Sequence, residues 1–273
     1  MSNALLRLLT AVIGIPVVVL AVYLGGWWFG GLMLAAALVA QYEAYHLMEA
    51  GGLVPDKPAG LVIGALAVGW AFVPEAAALA TAAALLWLAA SPLRASLKTP
   101  LASFAATVSG AIYPALFLAF LVKLRLARGP GLGDREAFYL TLATVVLIWA
   151  TDTFAYYTGK AVGRHPLAPK VSPKKTWEGS VGGALGALAV AVALKLTVLA
   201  FLPWVHLVVV ALLCGVVSQL GDLAESKMKR AVDVKDSGAI LPGHGGLLDR
   251  LDALILAAPL VYLYLAYGAR LFE

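Results

Sequence analysis

The chain has 273 residues, of which 62% are hydrophobic and only 13% are charged, and its formal net charge is +5. A soluble domain carries about 25% charged residues, so this composition excludes an ordinary soluble protein. The apolar runs are roughly 20 residues long, which suits membrane helices, whereas an outer-membrane barrel needs alternating segments of about 10 residues. Basic loops in such a protein set its topology, so the positive charge does not indicate nucleic-acid binding.

We therefore predict an all-α, polytopic integral membrane protein with about nine transmembrane helices. Pro and Gly residues mark most of the breaks between the apolar segments. The first segment lacks the small-residue cleavage site of a signal peptide, so we interpret it as a retained span. The predicted spans are Ala4–Leu24, Trp27–Glu49, Pro58–Val73, Glu75–Ala90, Leu101–Lys123, Ala137–Gly159, Glu178–Leu202, Trp204–Lys227 and Leu251–Leu271.

The spans are expected to form one integral membrane unit, with N-terminal helices over residues 1–100 and a catalytic region over residues 101–273. Most basic residues fall on the side of the N-terminus, which predicts a cytoplasmic N-terminus and an outside C-terminus in the cell (inner) membrane. Lys195 falls inside a span. The basic residues predicted on the outer side are Lys123, Arg125, Arg128, Arg135 and Arg270.

The first polar group of the predicted cytoplasmic face begins inside span six, at Asp152. A carboxylate at this depth costs on the order of 2.5–3.5 kcal/mol, and such residues are usually functional. Asp152 shares a helix face with Tyr156 and Gly159. Alternatively, it is a buried acid that ties helices together through hydrogen bonds.

The second group is the cytoplasmic loop at residues 160–177 with the residue that follows it. Its last part reads Ser172-Pro-Lys174-Lys175-Thr176-Trp-Glu178. Adjacent lysines, hydroxyl groups and a following helix start favour binding of a phosphate. The order of residues is not that of a Walker A loop. Alternatively, the lysines attract anionic lipid headgroups without recognising a substrate.

The third group runs from Asp222 through the cytoplasmic loop at residues 226–250, where five basic residues, four aspartates and four glycines lie between Ser226 and Asp252. Mg²⁺ is usually held by one or two carboxylates together with substrate phosphates. Asp222 and Asp249 suit this task if the Gly-rich loop folds back. Alternatively, Asp249 is present because the helix dipole favours an acidic side chain at the start of span nine. A lone histidine such as His244 is more often structural than catalytic.

Three motifs in these groups resemble the signature of the phosphatidate cytidylyltransferases, also called CDP-diacylglycerol synthases. The Asp152 helix, the 172–179 segment and Gln219-x-Gly221-Asp222 resemble the same family. The signature motifs are Ser226-x-Met228-Lys229-Arg230, Lys235-Asp236-x-Gly238 and Leu241-Pro242-x-His244-Gly245-Gly246-Leu247-x-Asp249-Arg250-Leu251-Asp252.

This resemblance implies transfer of CMP from CTP to phosphatidate, giving CDP-diacylglycerol and pyrophosphate. It further implies a homodimer in the lipid bilayer that requires Mg²⁺, with a second, monovalent cation such as K⁺ beside it. Asp222 and Asp249 are the expected metal ligands. The expected catalytic residues are Asp152, Lys174, Lys175, Asp222, Lys229, Arg230 and Asp249. The expected substrate-binding residues are Ser172, Thr176, Ser226, His244, Gly245, Gly246 and Arg250.

Two other functions remain open at this stage. A CTP-dependent lipid kinase of the dolichol- or phytol-kinase type would share the polytopic helices, but it would release CDP rather than pyrophosphate. A transporter would place Asp152 and Lys195 along a pathway near the midplane, often between repeats, and no repeat is visible. Glu43 and His46, one helical turn apart, form either a structural hydrogen-bonded pair or a contact to a headgroup or partner subunit.

Overall fold

The computed structural model describes residues 3–90, 99–240 and 245–273, and most of these residues are helical. In chain order the elements are α1 (Asn3–Leu24), α2 (Gly26–Ala50), α3 (Lys57–Gly69), α4 (Glu75–Ala90), α5 (Pro100–Ala111), α6 (Phe117–Leu126), α7 (Asp134–Val162), β1 (Pro166–Ala168), β2 (Ser172–Thr176), α8 (Trp177–Thr197), α9 (Trp204–Leu212), α10 (Ser218–Ala231) and α11 (Leu248–Leu263).

Three of the long helices contain a π-helical turn of five residues. These turns connect α5 to α6, connect α9 to α10 and extend α11. They are Ile112–Leu116, Leu213–Val217 and Tyr264–Gly268. The first turn includes Pro114, which has no amide hydrogen and therefore cannot continue the regular α-helical hydrogen-bond pattern.

The helical prediction is confirmed, and each predicted span overlaps a helix or a helix pair joined by a π-helical turn. Within the residues that the structure describes, five helices are long and apolar enough to cross a membrane, so the chain is a helical membrane protein. The number of nine spans stays a prediction. The five are Pro100–Leu126, Asp134–Val162, Trp177–Thr197, Trp204–Ala231 and Leu248–Gly268.

The all-α prediction needs one correction, in the loop at residues 160–177. Here β1 and β2 form an antiparallel hairpin in which Pro166 pairs with Thr176 and Ala168 pairs with Ser172. This polar stretch lacks the alternating apolar residues that would have indicated strands. The hairpin carries Lys174 and Lys175 on β2, so it determines where these lysines lie.

The chain divides into two compact units. Unit 1 comprises Met1–Lys123 and Met228–Leu251, and unit 2 comprises Leu124–Lys227 and Asp252–Glu273. The unit boundaries fall inside α10 and α11 as well as near the end of α6. The sequence suggests a different division near residue 100, between N-terminal helices and a catalytic region. That division concerns catalytic role, and it stays a prediction.

Hydrogen bonds between polar side chains of α2 and backbone carbonyls hold unit 1 together. The Tyr45 hydroxyl donates to the carbonyl of Thr107 at 2.6 Å, and the Gln41 amide donates to the carbonyl of Gly60 at 2.6 Å. Tyr45 also fills the space where side chains at Gly60 and Gly110 would lie. These buried bonds fix α2 against α3 and α5, because a buried polar group without a partner is costly.

Close packing of α7 on α8 is the main feature of unit 2. The first half of α8 carries four glycines on the face toward α7, three or four residues apart along that face. They are Gly179, Gly182, Gly183 and Gly186. An added Cβ at Gly183 would lie only 2.8 Å from the Thr151 carbonyl oxygen. Small residues at this spacing let membrane helices approach closely, and this approach determines where the hairpin before α8 is held.

Replacing Gly183 by Ala is therefore expected to destabilise the protein by about 1–3 kcal/mol, since the obstructing atom belongs to rigid backbone. Thermal unfolding of the purified protein in detergent measures this effect. Gly31→Ala on α2 is the matched control, because nothing lies within 4 Å of its added Cβ. We expect it to be neutral or slightly stabilising, since alanine favours helix more than glycine does. Equal melting temperatures for both variants would contradict the packing argument.

Lys195 acquires a structural explanation. Its ammonium group donates to the carbonyls of Ala200 and Leu202, each at 2.7 Å, and lies 5.7 Å from the centre of the Trp204 ring. The side chain thus satisfies the backbone oxygens of the turn between α8 and α9. This role differs from that of a residue lining a transport pathway.

Candidate active site

The first group of predicted site residues lies in unit 2 and is centred on Asp222. The ammonium group of Lys175 on β2 forms an ion pair with Asp222 Oδ2 on α10. Ser226, one turn later on α10, donates its hydroxyl to Asp222 Oδ1 at 3.2 Å. The side chains of Lys175 and Asp222 are 27% and 30% exposed, so a polar ligand can reach this ion pair.

The residues that begin α8 hold the hairpin in place. The Thr176 hydroxyl accepts the amide of Gly179 at 3.1 Å and so caps α8, keeping its own proton available to donate. The Glu178 carboxylate accepts the amides of Arg164 and His165 at 3.1 and 3.2 Å, and its other oxygen lies 2.5 Å from the His165 ring. The turn before β1 is thereby tied to the start of α8, which restricts the movement of Lys175.

Three other predicted site residues also belong to unit 2. Lys174 is exposed next to Lys175, and Ser172 begins β2. Asp152 lies on α7 and is exposed rather than enclosed by its own unit. Their expected roles in catalysis and substrate binding stay predictions.

The second group lies in unit 1 and is centred on Asp249. The ammonium group of Lys229, in the last turn of α10, forms an ion pair with Asp249 Oδ1 in the first turn of α11. Asp249 Oδ2 accepts the backbone amides of Ser237 and Gly246, both at 2.9 Å. Both charged side chains are buried, at 9% and 5% exposed. The backbone at Ser237 and at Gly246 therefore lies against Asp249. That the Gly-rich loop brings Asp222 and Asp249 together stays a prediction.

Glu43 on α2 also contacts this segment, although the sequence did not predict it. One carboxylate oxygen accepts the Ser237 hydroxyl at 3.2 Å and the Leu248 amide at 2.8 Å, and the other accepts the Leu247 amide at 3.1 Å. The hypothesis of a Glu43–His46 pair is wrong, because His46 instead lies 3.4 Å from Glu49. The one feature of the sequence that could have indicated a role for Glu43 was the presence of a carboxylate inside an apolar span.

The other residues of the signature have separate positions. Gly245 has a φ of +81°, a left-handed conformation that favours glycine. Arg230 is exposed and donates to the Val234 carbonyl at 2.6 Å, and Arg250 is also exposed. The expected substrate-binding residue His244 lies outside the described residues.

The chemistry of these groups fits a magnesium ion that is held partly by its substrate. Among residues 3–90, 99–240 and 245–273 there is no cluster of three or more His, Cys, Asp or Glu side chains that would form a complete metal site. Asp222 and Asp249 instead each pair with a lysine ammonium group, so each carboxylate lies beside a positive charge. Mg²⁺ commonly uses one or two carboxylates and takes its remaining ligands from phosphates and water.

Comparison with known proteins supplies an independent line of evidence. Residues 5–268 match the sequence profile of the cytidylyltransferase family. A phosphatidate cytidylyltransferase of Synechocystis is 34% identical over 94% of this chain and 95% of its own length. The chloroplastic phosphatidate cytidylyltransferase 4 of Arabidopsis thaliana is 33% identical over 95% of this chain and 72% of that protein.

The similarity to some relatives is stronger but shorter. The phosphatidate cytidylyltransferase of Bacillus subtilis is 42% identical, and the alignment covers 57% of this chain and 56% of that protein. Matches to proteins of the same name from Brucella cover 49% of those relatives, so these alignments span about half of the relatives' length. The family profile nevertheless covers nearly the whole sequence. The chain therefore belongs to the cytidylyltransferase family.

Proposed function

We propose that this protein is a phosphatidate cytidylyltransferase, a nucleotidyltransferase that transfers CMP from CTP to phosphatidate and makes CDP-diacylglycerol for phospholipid synthesis. The observation that carries the proposal is the partly exposed Lys175–Asp222 ion pair at a hairpin next to membrane helices. An accessible cation and a carboxylate suit a substrate that is both an anion and a lipid. The names of the relatives support the same activity.

The proposed reaction is a displacement at phosphorus. A phosphate oxygen of phosphatidate forms a new bond to the α-phosphorus of CTP, while the bond from that phosphorus to the oxygen bridging to the β-phosphate breaks. Pyrophosphate leaves with the electron pair of that bond. A phosphate monoester is already ionised near neutral pH, so no strong general base is needed, and positioning and charge stabilisation supply most of the catalysis.

Basic side chains of the two groups have defined tasks in this proposal. Two polyanionic substrates repel each other, and the repulsion is offset by the cationic side chains Lys174, Lys175, Lys229 and Arg230. Within its own unit, Lys175 is the lysine best placed to contact a phosphate, because it is partly exposed and is held by the hairpin. Ser172, Thr176 and Ser226 supply hydroxyl groups near this lysine, and Asp152, Arg250 and the signature glycines complete the proposed set.

Mg²⁺ is the proposed metal, with Asp222 and Asp249 as its carboxylate ligands. The ion would neutralise phosphate charge and stabilise the charge that develops on pyrophosphate. Ser226 and the amides of Ser237 and Gly246 orient the two carboxylates from within the protein. The proposal includes a second, monovalent cation such as K⁺ and a homodimeric assembly.

The proposed orientation places the N-terminus and the loops at residues 160–177 and 226–250 in the cytoplasm, where CTP is available. The distribution of basic residues supports this orientation. Reporter fusions within the 160–177 loop check it, and a reporter found outside the cell would contradict it.

Two differently labelled preparations of CTP test the function. Purified protein is incubated with Mg²⁺ and phosphatidate, together with CTP labelled on either the α- or the γ-phosphate. A cytidylyltransferase transfers the α-label to lipid and releases the γ-label as pyrophosphate. A CTP-dependent lipid kinase instead transfers the γ-label to lipid and leaves the α-label in CDP.

The acceptor provides the control for this assay. Diacylglycerol lacks the attacking phosphate, so we expect no transfer when it replaces phosphatidate. Transfer of γ-label to diacylglycerol or to a polyprenol would contradict the proposal and favour the kinase. Substrate uptake by reconstituted vesicles without CTP turnover would instead favour a transporter.

A further inference from the structure

The buried carboxylate of Glu43 has no part in the proposed reaction, yet it contacts the signature segment, residues 226–252, at two places. Glu43 belongs to α2, is only 3% exposed and accepts three hydrogen bonds from that segment. One donor, the Ser237 hydroxyl, precedes the Gly-rich part of the segment. The others, the amides of Leu247 and Leu248, follow it and begin α11. Glu43 therefore links Ser237 to the start of α11.

Asp249 binds the same two stretches of backbone from the other end of the segment. Its Oδ2 atom accepts the amide of Ser237 and the amide of Gly246. Ser237 thus donates its amide to Asp249 and its hydroxyl to Glu43. Residues 246–248 likewise divide their amides between the two acids. Movement of either carboxylate would change the position of the backbone that holds the other.

The glycines of the signature fit this arrangement. A Cβ at Gly246 would lie 2.1 Å from the Ser237 hydroxyl oxygen, 2.6 Å from a carboxylate oxygen of Glu43 and 2.8 Å from the Gly238 amide nitrogen. A Cβ at Gly238 would overlap the Glu43 carboxylate. Glu43 consequently occupies the space that side chains at both positions would need. At Gly238 the requirement for glycine arises from Glu43 on α2, and at Gly246 it arises from Glu43 together with Ser237 and the backbone of Gly238.

The energetics favour a fixed carboxylate at this position. Amides in the first turn of a helix have no partner inside the helix, and the dipole of the helix favours a negative charge there. Because Ser237 and Leu248 are buried, water does not readily replace Glu43 as the acceptor of their hydrogen bonds. Loss of the carboxylate would leave buried donors unpaired, which costs more than the bonds themselves contribute.

We propose that Glu43 is a positioning residue for the transfer reaction: it fixes the backbone amides that orient Asp249 and thereby determines the affinity for the metal. The proposal rests on the proposed function, in which Asp249 is a ligand of Mg²⁺. Glu43 itself touches neither substrate nor metal in this scheme. Partners that orient a metal ligand in this way commonly change metal affinity or activity by roughly 10–100-fold when they are removed.

Two measurements on the variant Glu43→Gln test the proposal. The first is hydrogen–deuterium exchange of the peptide covering residues 236–250 in purified protein without metal or nucleotide. The second is the Mg²⁺ concentration that gives half the maximal rate of CDP-diacylglycerol formation. We expect faster exchange in this peptide and at least a roughly tenfold higher Mg²⁺ requirement. Glu43→Asp, which keeps the charge, is expected to recover part of both losses.

Glu49→Gln on the same helix is the matched control. Glu49 is partly exposed and pairs with Lys57 at 2.8 Å and with His46, and it does not belong to the proposed site. We expect it to leave both measurements unchanged. Ser237→Ala removes only the hydroxyl contact and is expected to shift both measurements in the same direction by a smaller factor, so it carries the test if Glu43→Gln does not fold.

The outcomes separate this inference from the proposed function. An active Glu43→Gln protein with wild-type exchange and a wild-type Mg²⁺ requirement would overturn the inference. A lower yield of folded protein with an unchanged Mg²⁺ requirement would also overturn it, because a merely structural role predicts that result. Wild-type protein that makes no CDP-diacylglycerol would overturn the proposed function, and the exchange data would then still decide whether Glu43 orders the segment.

Discussion

The variant Asp222→Asn is expected to lose at least about 1,000-fold in the rate of CDP-diacylglycerol formation while remaining folded. The change removes one negative charge and keeps the shape of the side chain. A factor of 1,000 corresponds to about 4 kcal/mol of transition-state stabilisation, a reasonable value for the loss of a metal ligand. The rate is measured at saturating CTP and phosphatidate over a range of Mg²⁺ concentrations.

The fold is expected to tolerate this change. Asp222 is partly exposed, its hydrogen bond from Ser226 remains possible to the amide oxygen, and a partly exposed ion pair contributes little to stability. A melting temperature close to that of the wild type would therefore accompany the loss of activity. A folded variant with near-normal turnover would remove Asp222 from the metal site.

Asp233→Asn is the matched control for this experiment. Asp233 is exposed just after α10 and has a φ of +56°, a conformation that asparagine adopts readily. The same chemical change is therefore made close in sequence but outside the proposed site. We expect wild-type activity from this variant, and a comparable loss would indicate that the effect of Asp222→Asn reflects net charge rather than ligation.

Lys229→Met is expected to have the second large effect, on both stability and activity. Lys229 and Asp249 form a buried ion pair, and removing one partner of such a pair typically costs about 3–5 kcal/mol, because the other charge is left buried without compensation. Chemical or thermal unfolding of the purified protein measures the stability. We expect the transfer reaction to fall to background at the same time, since Asp249 loses its position.

A double variant separates the two effects of this change. Lys229→Met combined with Asp249→Asn removes both charges but keeps an oxygen that can accept the amides of Ser237 and Gly246, so most of the lost stability should return, whereas the activity should not. Lys227→Met, two residues earlier on α10, is the control because Lys227 is exposed. A double variant as unstable as Lys229→Met would contradict the assignment of a buried, mutually dependent pair.

Hydropathy was sufficient to locate the helices, but not the short elements between them. The nine apolar segments overlap helices because a long run of apolar residues in a bilayer has to satisfy its backbone hydrogen bonds within itself. The β1–β2 hairpin was missed because β1 has only three residues and β2, which carries Ser172 and Lys174, has no alternation of apolar and polar residues. Its position depends on Glu178 and His165, which are brought together by folding.

The motifs similarly indicated which residues carry the chemistry, but not how they are held. The pairing of Lys175 with Asp222 joins residues 47 positions apart, and that of Glu43 with Leu248 joins residues 205 positions apart. Neither pairing follows from local spacing. The role of Lys195 could not be predicted either, because the carbonyls that it binds become neighbours only after the turn beyond α8 has formed.

The hydrogen bonds of Glu43 have a consequence for engineering the protein. Unit 1 is assembled from two separate stretches of sequence, and α2 belongs to the first while the Gly-rich turn belongs to the second. A chimera that takes its C-terminal half from another relative would join a foreign turn to a native α2. We expect such a chimera to keep these hydrogen bonds only where both parent proteins have the acid on α2 and the glycines of the C-terminal segment. The helix α2 and this segment would therefore have to be exchanged together.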